Sequence, residues 1–411
     1  MSTSAKPSHK ILPAVVIIAC LAMTSTTHVA YAISSGTQLV DPNPETLGQF
    51  GYTVSISGSA AVVGAWFETV GTMTGAGRAY VFDASNGDLI TTLTSPSPQH
   101  LGEFGTSVAI DGSTAVVGAP EETDGTFADA GHAYVFNATT GELMATLTSP
   151  NSQADGEFGT SVAISDTTVI VGAPYELSGT TADSGRAYVF DATTGDLITS
   201  LASPNTQPSG EFGLSVGVYV DDATAIVGAP GEMVGTTVEA GQAYVFDATT
   251  GDLINSLASP NAEVGGGFGK SVAIGGTTVV VSAPYETVGT GASAGRAYVF
   301  DASTGDLIST LISPSPQAHA EFGDSVSIGV AAVAVGAPSE TEGTTLQAGH
   351  AYLFDATTGG LINAYVSPGP QSFGRFGWSV GVATDDSTLV VGAYDESEGT
   401  AVNAGHSYVF L

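Results

Sequence analysis

Apolar residues in the segment 103–156 fall in short runs broken by Gly, Pro, Asp and Asn, and none of these runs has the 3.6-residue spacing of a helix. Ser107-Val108-Ala109-Ile110 alternates polar with apolar and meets Asp111-Gly112, a dipeptide suited to a tight hairpin turn. Thr114-Ala115-Val116-Val117 is nearly continuous in apolar character, which predicts a strand covered on both faces. Gly118-Ala119-Pro120 ends it, because proline has no N–H to give a ladder. After a polar loop, Gly131-His132-Ala133-Tyr134-Val135-Phe136 predicts a third strand. Residues 137–142 turn the chain, and 143–147 predict a fourth strand. Ser149-Pro150 then opens a crossing to the next unit. The pattern predicts one twisted four-stranded antiparallel sheet.

This pattern returns seven times. Phe-Gly occurs at Phe50-Gly51, Phe104-Gly105, Phe158-Gly159, Phe212-Gly213, Phe268-Gly269, Phe322-Gly323 and Phe376-Gly377, at intervals of 54, 54, 54, 56, 54 and 54 residues. A period of that size means one sheet per repeat, stacked to bury faces that no repeat can bury alone. The expected fold is all-β, a seven-bladed β-propeller of four-stranded antiparallel blades. A linear solenoid would need capping units at its ends. Here the ends complement each other. Thr37-Gln38-Leu39-Val40-Asp41-Pro42 lies 54 residues before Thr91-Thr92-Leu93-Thr94-Ser95-Pro96, so it reads as a fourth strand, while the last repeat stops after its third. The N-terminal strand is expected to join the C-terminal blade and close the ring.

About fourteen residues after each Phe-Gly comes Gly118-Ala119-Pro120, Gly172-Ala173-Pro174, Gly228-Ala229-Pro230 or Gly336-Ala337-Pro338. Variants stand at Gly64-Ala65-Trp66, Ser282-Ala283-Pro284 and Gly392-Ala393-Tyr394. The combination resembles the FG-GAP repeats of the seven-bladed propeller at the N-terminus of integrin α chains and of related microbial surface proteins. The resemblance implies an exterior module for adhesion or recognition, and it brings in Ca2+ as a possible cofactor. The chain departs from the Asp-x-Asp-x-Asp-Gly calcium loop, however, with only Asp221-Asp222 and Asp385-Asp386 as weak metal candidates. Two adjacent carboxylates do not supply the six to eight oxygens that calcium takes. The Asp191-Ala192-Thr193-Thr194-Gly195-Asp196 turns are expected to be capped by their own Asp, with Gly left-handed.

Residues 1–32 read as a signal peptide: Lys6 and Lys10 precede an apolar run, and Ala30-Tyr31-Ala32 offers a cleavage site. Cleavage after Ala32 leaves residues 33–411 as a single propeller domain, secreted or displayed at the cell surface. The rival is lipoprotein processing at Cys20, the only cysteine, whose solitude also excludes an internal disulfide. Without Lys6 and Lys10, five Lys and Arg face 40 Asp and Glu. That excess repels nucleic acid and anionic membrane, favours cationic ligands or divalent ions, and also serves solubility. No segment after the leader has the length of a transmembrane span. The expected partner is an extracellular protein or glycan, and the propeller is expected to be monomeric.

A Glu follows the second strand in all seven units, at Glu68, Glu122, Glu176, Glu232, Glu286, Glu340 and Glu396. Ten residues later stands Arg78, His132, Arg186, Gln242, Arg296, His350 or His406. The expectation is structural pairing that ties down the intervening loop; the alternative is an acidic ring that binds a cation or basic ligand. The repeats break their pattern at Trp66 and Tyr394, which replace the motif proline in blades that adjoin once the ring closes. With Phe67, Trp378 and Arg375 they form a candidate ligand site or a packed seam. Asn137-Ala138-Thr139 is a glycosylation sequon. No nucleophile elbow or paired His at metal spacing points to catalysis, so the chain reads as a non-enzymatic recognition or adhesion module. The alternatives are an extracellular hydrolase of polysaccharide or phosphoester, and an architectural envelope component.

Overall fold

A computed structural model describes residues 36–411. The leader, its cleavage after Ala32 and Cys20 lie outside the described residues. The described chain forms seven four-stranded antiparallel sheets, one per repeat. Their innermost strands are Thr53–Ser57, Ser107–Asp111, Ser161–Ser165, Ser215–Tyr219, Val272–Gly275, Val326–Ile328 and Ser379–Val382, in blades 1 to 7. In blade 2 the order runs outward through Thr114–Ala119, His132–Asn137 and Leu143–Leu147, so the second strand carries the Gly-Ala of the motif and stops before Pro120. The ring closes as expected: Thr37–Leu39 is the outermost strand of blade 7, with Thr37 opposite Val409, Gln38 opposite Tyr408 and Leu39 opposite Ser407. No described helix is long and apolar enough to cross a membrane.

The core lies between blades. Val62, Val81 and Leu93 of blade 1 pack with Phe104, Val117 and Tyr134 of blade 2 in one buried cluster. At the closure, Leu39, Val390 and Val409 pack in the same way with Phe50, Val54 and Tyr80. Each Phe of the Phe-Gly pair sits against a Tyr and a Phe of its blade's third strand; Phe104 lies 5.9 Å from both Tyr134 and Phe136. Hydrophobic burial therefore depends on every neighbour being in place, which makes the ring a cooperative object.

The repeated glycines are set by how closely blades approach. A Cβ on Gly172 of the Gly-Ala-Pro motif would stand 1.9 Å from the carbonyl oxygen of Gly213 in the next blade. The residue three positions past each Phe stitches the same junction with its hydroxyl. Thr53 and Ser161 donate to the carbonyls of Gly105 and Gly213 at 3.0 and 2.8 Å. In the second half of the ring the sense reverses, and Ser379 of blade 7 accepts from the Val54 amide of blade 1 at 2.9 Å.

Candidate functional site

The Glu register lies at the end of the ring that carries the Phe-Gly and Gly-Ala-Pro loops. All seven carboxylates of the register are 0% exposed. Each accepts a hydrogen bond from the Tyr twelve residues later, at 2.6 Å for Tyr80 and Tyr408 and 2.5 Å for Tyr188 and Tyr298. Tyr134, Tyr244 and Tyr352 bond Glu122, Glu232 and Glu340 alike. The Ser of the Ser-Pro crossing that arrives from the previous blade adds a second donor, as Ser203 does to Glu232 and Ser259 to Glu286. A buried carboxylate needs such donors, since unpaired burial of its charge is costly.

The residue ten positions on completes the network from the solvent side. Arg78 lies 3.1 Å from Glu68 and Arg296 3.3 Å from Glu286, while Gln242 donates to Glu232 at 3.1 Å. Arg186 instead donates to the Leu177 carbonyl at 3.2 Å. Where this residue is His, a second acid stands two positions past the Glu. His350 lies 3.1 Å from Glu340 and 2.9 Å from Glu342, and His406 lies 2.8 Å from Glu396 and 2.7 Å from Glu398. His132 takes the same place between Glu122 and Asp124, whereas the Arg and Gln blades have Val70, Ser178, Val234 and Val288 at the second position. Burial alone would lower the His406 pKa, but the two carboxylates outweigh it and raise it.

Blade 1 differs in one group. Asp41 stands where the other crossings place Ser, so two buried carboxyls face each other. Burial, and then the charge of Asp41, push Glu68 up to about 8. Asp41 itself rises to about 6, mainly through burial. Arg78, Tyr80, Asn43 and Glu45 surround the pair.

The aromatic candidates do come together, around a residue that sequence reasoning passed over. Tyr52 lies 5.4 Å from Trp66, 5.7 Å from Trp378 and 5.5 Å from Tyr394 between ring centres. Trp378 meets Tyr394 at 4.8 Å, and Phe67 flanks Trp66 at 5.1 Å. All five side chains are half-buried, so the group packs the seam between blades 7 and 1 and still presents a surface. Arg375 reaches toward blade 6, where its guanidinium donates to the Ser339 hydroxyl, which in turn donates to Glu321 at 2.9 Å.

Tyr52 and Trp378 belong to a wider set, the residue after each Phe-Gly. In order around the ring these are Tyr52, Thr106, Thr160, Leu214, Lys270, Asp324 and Trp378, and together they rim a cavity of about 390 Å³ at the mouth of the axial channel. The surroundings are strongly acidic near blades 2 and 3. Burial and the nearby charge of Glu121 push Glu103 up to about 7, and Glu157 rises to about 7 from the same two causes. Asp324 is pushed up to about 6 by burial, against the pull of Lys270. The mouth offers stacking faces, hydroxyls and charges of both signs.

The remaining candidates lie on the other end of the ring. Asp386 accepts from the Ala331 and Ala332 amides of blade 6 at 2.8 and 3.1 Å, and Asp385 caps its own turn through the Ser387 amide at 3.1 Å. Tyr219 donates to Asp221 at 3.2 Å, and the neighbouring Asp222 is exposed. Among the described residues no group of three or more His, Cys, Asp or Glu is arranged to hold a metal ion. Asn137 caps its turn by accepting from the Thr139 and Thr140 amides at 3.0 and 2.9 Å, as Asp191 does for Thr193 and Thr194.

Among known families, the FG-GAP repeat matches residues 36–82, 91–136, 142–190 and 254–300. No curated protein matches the chain.

Proposed function

We propose that the chain, a seven-bladed propeller of which four stretches match the FG-GAP repeat, is a secreted or cell-surface module for recognition and adhesion, taking a protein or glycan ligand on the face of the Phe-Gly and Gly-Ala-Pro loops. One observation carries this reading. Scaffold positions repeat from blade to blade, yet the residue after Phe-Gly changes around the ring from aromatic to hydroxyl, aliphatic, basic and acidic. A position freed from repetition, gathered with its six counterparts around one opening, is where a repeat protein can place a ligand contact. The half-exposed seam of Tyr52, Trp66, Phe67, Trp378 and Tyr394 adds the aromatic surface that recognition sites favour. The signal-peptide pattern read in residues 1–32 of the sequence supports the exterior address.

Peptide and glycan arrays probed with the full mature chain, with and without calcium, test this. Trp378→Ala and Trp66→Ala are expected to weaken the strongest binder about tenfold or more while the melting temperature moves little. A large drop in melting temperature with affinity unchanged would reduce the seam to packing and refute its place in the site.

A further inference from the structure

Away from the seam, where blade 4 meets blade 5, the pattern loses three side chains at once. The residue before Phe-Gly is Gln49, Glu103, Glu157, Glu211, Glu321 or Arg375 elsewhere, and Gly267 in blade 5. Two positions earlier the other blades have Leu47, Leu101, Asp155, Ser209, His319 and Phe373, and blade 5 has Gly265. Past the motif proline, blade 4 has Gly231 where blades 3 and 5 have Tyr175 and Tyr285. The result is a cavity of about 330 Å³ floored by these glycines and walled by Leu214, Pro230, Tyr285, Glu211, Glu239 and Lys270. Tyr285 is 39% exposed, and its ring lies so close over Gly267 that a Cβ there would stand 2.9 Å from Cδ2. Leu214 and Lys270 also rim the axial mouth, so the two hollows share a wall.

We propose that this notch is a sugar site, taking one or two rings of a neutral glycan stacked on Tyr285 with their hydroxyls on Glu211, Glu239 and Lys270. The inference rests on the reading that this face of the ring meets the ligand. The walls select the chemistry. A hydrocarbon would leave the half-buried Glu211 carboxylate and Lys270 ammonium without partners. An anionic ligand meets both carboxylates and a chain of formal charge −33. A cationic side chain would pair with a carboxylate but leave the Lys270 ammonium without an acceptor. A neutral polyol satisfies acceptors and donor together, and gives its apolar ring face to the tyrosine. Burial already raises the pKa of Glu211, and Lys270 is the charge that opposes the rise, so the two act as one polar unit.

The test restores the pattern of the other blades. Gly267→Glu introduces the residue that four other blades have there, at a backbone φ of 67° against 50–58° for Glu103, Glu157, Glu211 and Glu321. The fold accommodates it once the Tyr285 ring swings aside, and the new side chain fills the notch. The full mature chain and its variants are applied to an array of neutral hexose and N-acetylhexosamine oligosaccharides, and the affinity for the strongest binder is read by calorimetry. Gly267→Glu is expected to abolish binding and Tyr285→Ala to weaken it at least tenfold. Should Gly267→Glu fail to fold, Tyr285→Ala and Lys270→Ala decide alone. Unchanged affinity in these variants, with loss in Trp378→Ala, would overturn the notch and leave the face as the ligand side. Binding on a peptide array with no neutral sugar bound would overturn the ligand class, and binding on neither array would bring down the reading of the face itself.

Discussion

Two registers of the propeller, a few residues apart in every repeat, have opposite characters. The Glu after the second strand occurs in all seven blades, is fully buried, and meets a Tyr in all seven. The residue after Phe-Gly is half-buried at the channel mouth and differs around most of the ring. The first register is constrained by a cost: a buried carboxylate needs its donors wherever it occurs, so a Tyr travels with it in every blade and a crossing Ser in all but blade 1. The second register carries no buried charge that every blade must satisfy. On the proposed function, invariance inside serves the structure and variety at the opening leaves room for recognition.

The comparison breaks most visibly at the blade junctions. Gly172→Val should prevent a cooperative native melt, because its side chain begins 1.9 Å from the Gly213 carbonyl; differential scanning calorimetry would read this, and a normal transition would contradict the close-approach argument. Next in size, Tyr298→Phe strips a donor from buried Glu286 and should cost about 1–3 kcal/mol, measured by chemical denaturation, with Trp378→Ala well below it.

The third prediction concerns pH. Glu68 and Asp41 have folded pKa values above their ordinary ones, so the folded state binds more protons, and their contribution falls as pH rises from the ordinary carboxylate range through about 6 for Asp41 and about 8 for Glu68. The His406 pKa is also raised, so its stabilisation is full below the ordinary histidine value and is lost as pH climbs through the folded one. Melting temperature should therefore decline from about pH 5 to about pH 8, and Asp41→Ser, the residue of the other crossings, should make that decline shallower. An equally steep profile in the variant would detach the effect from the carboxyl pair. Smallest of all, Asp386→Ala removes two amide bonds to blade 6, for a loss of about 1 kcal/mol, and calcium should not move the melting temperature of either form.

The fold was legible because a 54-residue period fixes strand number, and the offset of Thr37–Leu39 against Thr91-Thr92-Leu93 fixes the closure. Glu and its polar partner ten residues on were legible as a pair. Their depth was not, because carboxylates ordinarily face water and the burying partners come from a neighbouring crossing and a different strand. The signal existed: a Tyr two residues past the polar position in every unit, from Tyr80 to Tyr408. The seam was found through its substituted prolines, whereas Tyr52 was missed because it breaks no motif. Asp386 drew attention as a possible ligand, yet its acceptors are taken by amides 54 and 55 residues away, a contact that only the packing of consecutive blades creates.

The pairing of Thr37–Leu39 with Ser407, Tyr408 and Val409 joins parts of the chain some 370 residues apart. A contact of such sequence separation forms late and is paid for in loop entropy. Once made, it can open only by exposing the apolar groups of two sectors together, so unfolding of the closed molecule should be slow. Until then the third strand of the last blade offers a bare edge, and at high concentration a neighbouring molecule's Thr37–Leu39 segment fits it as well as its own. Dilute refolding should favour closed monomers, and crowded refolding should yield strand-exchanged pairs.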